Sequence, residues 1–141
     1  MFPPPASVCP GPAITDATTE IADVARLSVV TESITRTTLA DIALAHAKTI
    51  GRIETRRIRM PAGVAGGLHV HNCPVVGCIV EGSVAYQVEG DGVVVLVPGD
   101  VFYEAEGARI ARFDALDGDV TFVAHFLLSV GQQPELDIPA G

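Results

Sequence analysis

Two histidines separated by one residue, His69-Val70-His71, are the most chemically telling feature of this sequence. Side chains alternate along a strand, so residues i and i+2 project from one face. If the segment is extended, both imidazoles point the same way and can share one ion. Imidazole suits Zn, Fe, Ni, Cu and Mn to differing degrees. On its own the pair is a weak signal, because two polar residues on a half-exposed strand look the same. Two imidazoles alone would also make a labile site, since stable sites normally take three or four protein ligands.

Other residues could contribute. His125 lies in the apolar run Val120 to Val130, where Val123, His125 and Leu127 share one face and Phe122, Ala124 and Phe126 the other. Both faces are apolar, so parity leaves open which one turns inward. Cys73 follows His71 by two residues and thiolate binds zinc well, but Pro74 favours a turn there. Cys78 sits in an apolar run and reads as a small core residue. Glu104 follows Phe102-Tyr103; a carboxylate beside a metal could bind it or act as a general base. The simpler reading, which the sequence favours, is a charged strand end paired with Arg109 or Arg112. Arg52, Arg56, Arg57 and Arg59 form the only basic cluster; Arg57 and Arg59 share a face that could meet an anionic substrate, although a solvated or dimer-facing strand is the simpler reading. His46 falls in a segment with no clear assignment.

The elements that must position these groups are short strands. Arg52 to Met60, Leu68 to His71, Val75 to Val80, Ser83 to Val88, Val93 to Val97, Val101 to Tyr103, Ala108 to Phe113 and Val120 to Val130 are β-branched or alternating. They are punctuated by Glu81-Gly82, Glu89-Gly90-Asp91-Gly92, Pro98-Gly99-Asp100, Glu106-Gly107 and Asp117-Gly118-Asp119. This rhythm predicts a sandwich or barrel. No helix–strand alternation, phosphate loop, nucleophile elbow or C-x-x-C pair is present. Ser33 to Leu39 is predicted as a further strand, Thr18 to Leu27 as one or two helical turns with a Thr cap, and Ala40 to Ile50 stays open between helix and loop. The organisation expected is an N-terminal arm over 1–32 that includes Pro3-Pro4-Pro5, a barrel over 33–131, and a loose tail over 132–141.

Residues 61–82, PAGVAGGLHVHNCPVVGCIVEG, resemble the first motif of the cupin superfamily, Gly-x5-His-x-His-x3-Glu-x6-Gly, with Gly63, His69, His71 and Gly82 in register. Residues 98–107, PGDVFYEAEG, resemble the turn and strand leading into the second cupin motif, in which similar cupins often read Tyr-Glu-Pro around Glu104. The resemblance spans about Arg52 to Leu128 and implies an all-β, double-stranded β-helix or jelly-roll barrel. It implies a divalent transition metal (Zn, Fe, Ni or Mn) on His69 and His71. The pattern is degenerate: the Glu ligand would fall at Val75, the second-motif His at Ile110, and the Asn four residues later is Asp114. In a cupin the last strand runs beside the one carrying Val75, so His125 could enter the space left by the missing Glu as a third ligand; a satisfied core histidine is the other reading. Gly77, if it faces inward as the family register implies, would leave room in the barrel.

The chain has 141 residues, 48% hydrophobic and 18% charged, enough apolar material for one folded core. A formal charge of -8 argues against nucleic acid, which calls for a basic surplus, and against an anionic membrane surface. Three cysteines without regular spacing are no disulfide framework and fit a reducing compartment. With no signal-peptide pattern or spanning apolar run, the cytoplasm is the expected location. The resemblance implies a metal-dependent small-molecule enzyme of dioxygenase, isomerase, decarboxylase or lyase type. Against it stand a non-catalytic small-molecule binder and a structural homodimer with a vestigial, metal-free site. A homodimer is expected in any case, because strand edges need cover.

Overall fold

The computed structural model describes residues 33–140. Within them the chain forms nine strands: β1 (Arg52–Met60), β2 (Val70–His71), β3 (Val75–Glu81), β4 (Val84–Val88), β5 (Val94–Leu96), β6 (Val101–Glu104), β7 (Ile110–Ala115), β8 (Val120–Leu128) and β9 (Leu136–Asp137). One sheet runs β1-β8-β3-β6 and a second β5-β4-β7, all antiparallel. The pair β2-β9 joins the second sheet through His69 and Ile110, whose backbones exchange hydrogen bonds of 3.0 and 2.9 Å. The architecture is thus all-β, as the strand rhythm predicts, and it is the jelly roll that the motif resemblance implies.

The two sheets meet through aromatic rings. Phe102 on β6 packs on Phe113 of β7 at 5.0 Å between centroids and on Phe122 of β8 at 5.8 Å, and Phe113 meets Phe122 at 4.9 Å. Tyr86 of β4 joins them and donates its hydroxyl to the Tyr103 carbonyl at 2.9 Å. In a chain so poor in aromatics, this cluster carries the large side chains of the core, and Ile79, Ile110, Leu128, Val84 and Val120 fill around it.

Gly77 makes the cluster possible. It faces inward on β3, opposite Phe102, but the room it leaves is not empty. A Cβ there would overlap the Phe102 ring and come within 2.7 Å of the Val123 carbonyl oxygen. The expected space is therefore occupied by a phenyl ring.

Two segments, Ser33 to Leu39 and the tail, differ from expectation, and a third, residues 40–50, takes one of the two forms left open. Ser33 to Leu39 forms no strand and is exposed throughout. Its two large apolar residues, Ile34 and Leu39, lie an odd number of positions apart, so a strand would put them on opposite faces with neither able to bury them together. Residues 40–50 are irregular. The tail after residue 131 is not loose. Leu136–Asp137 pairs with β2, and Asn72 ties the approach down: its amide donates to the Gln133 carbonyl at 2.8 Å and its oxygen accepts from the Glu135 N–H at 2.9 Å. Gln132 adds a bond to the Asn72 carbonyl at 2.8 Å. Side-chain tethers of this kind are invisible to periodicity. The helical turns expected near Thr18 lie outside the described residues.

Gly77→Ala should cost about 1–3 kcal/mol, the usual penalty for overpacking a filled core. Urea unfolding would measure it, and a variant as stable as the parent would mean that Phe102 has a second place to go.

Candidate metal centre

Alternation decides what faces the space between the sheets. On β1 the inward residues are Arg56, Ile58 and Met60; on β8, Phe122, Ala124 and Phe126; on β3, Val75; on β6, Phe102 and Glu104. His69 and His71 approach from the opposite wall. These residues line a cavity of about 230 Å³, closed at one side by Pro134, Glu135 and Leu136 of the tail.

His69 and His71 do share a face, as their spacing requires. Their rings meet edge-on, 5.1 Å between centroids. The third group is Glu104. Its Oε2 lies 2.6 Å from His71 Nε2 and 3.4 Å from His69 Nε2. All three residues are buried, Glu104 to 2% exposure. The three side chains can each offer one donor atom within 4.8 Å of the others, so they could hold a metal ion.

Register explains how the carboxylate arrives. The inward row across the sheet reads Glu54, Phe126, Val75, Glu104, one residue per strand. Glu104 is thus the direct cross-strand neighbour of Val75, the position where the first-motif carboxylate is missing. The acid is absent from one strand and present on the next, about 4.8 Å away. Ile110, where the second-motif His would stand, is paired with His69 and fully buried.

His125 is not brought to the pair. Phe122, Ala124 and Phe126 take the inward face, which sends His125 to the outside of the sheet, where its Nδ1 is hydrogen-bonded to the Thr55 hydroxyl at 2.8 Å. The parity that turns His125 outward leaves Glu104, and no third imidazole, beside the pair among the described residues. Glu104 meets neither Arg109 nor Arg112: Arg109 pairs with Glu89 at 2.6 Å. Cys73 is fully buried in the apolar core, where burial pushes its thiol up, and it takes no part in the three-residue group. Of the arginine cluster, Arg56 lines the cavity, not Arg57 or Arg59. Its parity with Ile58 and Met60 carried that information, as the parity of Glu104 with Phe102 did for the acid.

The donor set fits a divalent ion. His69 Nδ1–H donates to the Gly67 carbonyl at 2.8 Å. A carbonyl only accepts, so the proton sits on Nδ1 and a neutral ring offers its Nε2 lone pair toward Glu104. Metal-binding histidines are commonly fixed in this way. Donor separations of 2.6 and 3.4 Å bracket the roughly 3 Å edge set by metal–ligand bonds of about 2.1 Å. Without a metal the same atoms form a buried ion pair. Burial opposes charge on both sides, yet the imidazole hydrogen bonds hold the Glu104 carboxyl below its usual range. Against the same burial, Glu104 and the Gly67 carbonyl hold His69 above its own.

No family model matches this sequence and no curated protein matches it. Solved structures do. The DMSP lyase DddQ from Ruegeria pomeroyi superposes with a TM-score of 0.52 at 22% identity, over 59% of this chain and 42% of that one. An oxalate oxidase in complex with the substrate analogue glycolate gives 0.53 at 17%, over 61% and 45%. A cupin-like protein from Thermotoga maritima gives 0.52 at 17%, over 59% and 62%. In each case the match spans less than two thirds of the solved chain. The fold is that of the cupins, as the two sequence motifs implied.

The ion pair has a signed pH dependence in metal-free protein. The depressed Glu104 stabilises the fold above its ordinary 4.5, and this is lost as pH falls through its lower folded value; the raised His69 stabilises below its ordinary 6.5, and this is lost as pH rises through its higher folded value. Thermal unfolding in chelator should therefore show the largest gap between parent and Glu104→Gln between about pH 4.5 and 6.5. A gap constant from pH 4 to 8 would mean that the three groups do not interact as placed.

Proposed function

We propose that this protein is a metal-dependent enzyme acting on a small molecule in the barrel, with His69, His71 and Glu104 holding the ion. The observation that carries this reading is the convergence of two imidazoles and one carboxylate, all buried, in the lining of a largely apolar cavity. A two-His, one-carboxylate set suits iron(II) above all, and zinc, nickel or manganese after it. When bound, the ion would supply Lewis-acid or oxygen-activating chemistry. The chain's own contribution is positional. Gly67 fixes the His69 tautomer, the phenylalanine wall excludes water, and the tail covers one side. Glu104 is assigned to the ion and not to base catalysis, because its Oε2 already faces both imidazoles.

The similar structures include a lyase and an oxidase acting on small molecules, which supports the same broad class. Lyase-, isomerase- or dioxygenase-like chemistry is the range we assign. A non-catalytic binder is the competing reading, favoured by the apolar Val75 and Ile110. A homodimer in the cytoplasm belongs to the same proposal. The half-exposed Val93, Val94, Val95 and Val97 at the β5 edge support pairing with a second copy.

Metal analysis of protein purified without a His tag tests the reading. We expect a stoichiometric first-row metal in the parent, a more than tenfold loss of affinity in His69→Ala, His71→Ala and Glu104→Gln, and full occupancy in His125→Ala. Metal-free parent protein would leave the binder, and unchanged occupancy in Glu104→Gln would remove the carboxylate from the site.

A further inference from the structure

A guanidinium also lines the cavity, close to the three-residue group. Arg56 projects inward from β1 in the same row as Ala124, Gly77 and Phe102, one step along the strands from the row that carries Glu104. Its guanidinium carbon lies 4.9 Å above the centroid of Phe126, and the Phe126 ring lies 6.0 Å from His71. Laid end to end, these contacts keep the guanidinium within about 11 Å of the His71 ring.

The charge on Arg56 is not fully spent. Its Nε and Nη2 both meet Glu54 Oε2, and Nη1 has no partner among the described residues. Glu54 is shared with Arg52, whose Nη1 reaches its Oε1 at 3.1 Å. Two guanidinium groups on one carboxylate leave one positive charge in excess. Of the other acids lining the cavity, Glu104 faces the imidazoles, and Glu135 stands exposed at the rim, where the Arg56 side chain is itself 47% exposed. The rest of the wall is apolar: Val75 and Phe126 stand in the row of Glu104, Ala124 in the row of Arg56, and Phe122 one row further on.

We propose that the cavity takes a small organic carboxylate, its anionic group held by Arg56 and its carbon body on the phenylalanine wall. The bound molecule then lies against the His69–His71–Glu104 group, which is the part that rests on the metal reading. A planar guanidinium fork matches a carboxylate in shape. One surplus charge matches a monoanion better than a phosphate dianion. The cavity of about 230 Å³ is smaller than the roughly 300–1,000 Å³ usual for ligand pockets, so the body is a small one. Arg56 is in this reading a specificity-determining residue.

Calorimetric titration of the full chain with 3-methylbutyrate and with its neutral amide, each with zinc and with chelator, tests this. We expect the acid to bind at least tenfold more tightly than the amide. Arg56→Gln should lose at least tenfold for the acid while keeping its zinc content, and Arg56→Lys, which keeps charge without the fork, should fall between. Equal binding of acid and amide would overturn the proposal. So would binding that survives Arg56→Gln but disappears with chelator or His71→Ala; the carboxylate would then sit on the ion, and the metal reading would stand alone. Arg56-dependent binding in a protein that retains no metal would support this proposal and remove the metal reading.

Discussion

The register of β3 against β6 is the constraint on which the rest of the site depends. It sets Glu104 beside Val75, on the inward face, under two imidazoles. A carboxylate buried to this depth would cost several kcal/mol if unpaired. The imidazoles remove that cost only if His69 and His71 are held on the opposite wall at the right height. A slip of one residue would turn Glu104 outward and place Tyr103 in the cavity. The pairing is therefore strongly specified, and the aromatic cluster specifies it again, because Phe102 must lie over Gly77.

The opposite wall is held by correspondingly local means. His69 is clamped through its backbone to Ile110 and through its ring to Gly67. The His71 carbonyl accepts from the Gly107 N–H at 3.0 Å, which ties it to the turn between β6 and β7. The next residue, Asn72, anchors the C-terminal segment. The strand that carries a functional side chain is thus also the strand that the tail pairs with, so the position of the tail and the closure of the cavity are coupled through three consecutive residues.

Much of this was legible in the sequence. The strands from Arg52 to Leu128 follow from alternation and turn residues, and the fold follows from two spaced motifs. The histidine pair follows from its i, i+2 spacing. What alternation could not supply was the choice of inward face on β8, because both its faces are apolar; a histidine among valines and leucines looks the same on either. Glu104 was undervalued for a related reason. A charged residue at a strand end is usually solvated, and only cross-strand register shows that this one ends beside Val75. The tail escaped because its order rests on Asn72 and Gln132 side chains, not on any hydrophobic period.

Neither Val75 nor Ile110 can coordinate a metal. Their placement nevertheless favours one. Both are essentially inaccessible to solvent and sit immediately beside the donors, Val75 across the ladder from Glu104 and Ile110 across from His69. Apolar neighbours lower the local dielectric and strengthen every interaction among the three polar groups. They also add no donors of their own, so an ion held here would have its remaining positions open to solvent or substrate, which is the property that separates catalytic from structural sites. A vestigial site would be expected to lose its carboxylate along with its ligands. Here a carboxylate lies buried on the strand beside Val75, facing both imidazoles, in a cavity that the guanidinium of Arg56 also lines.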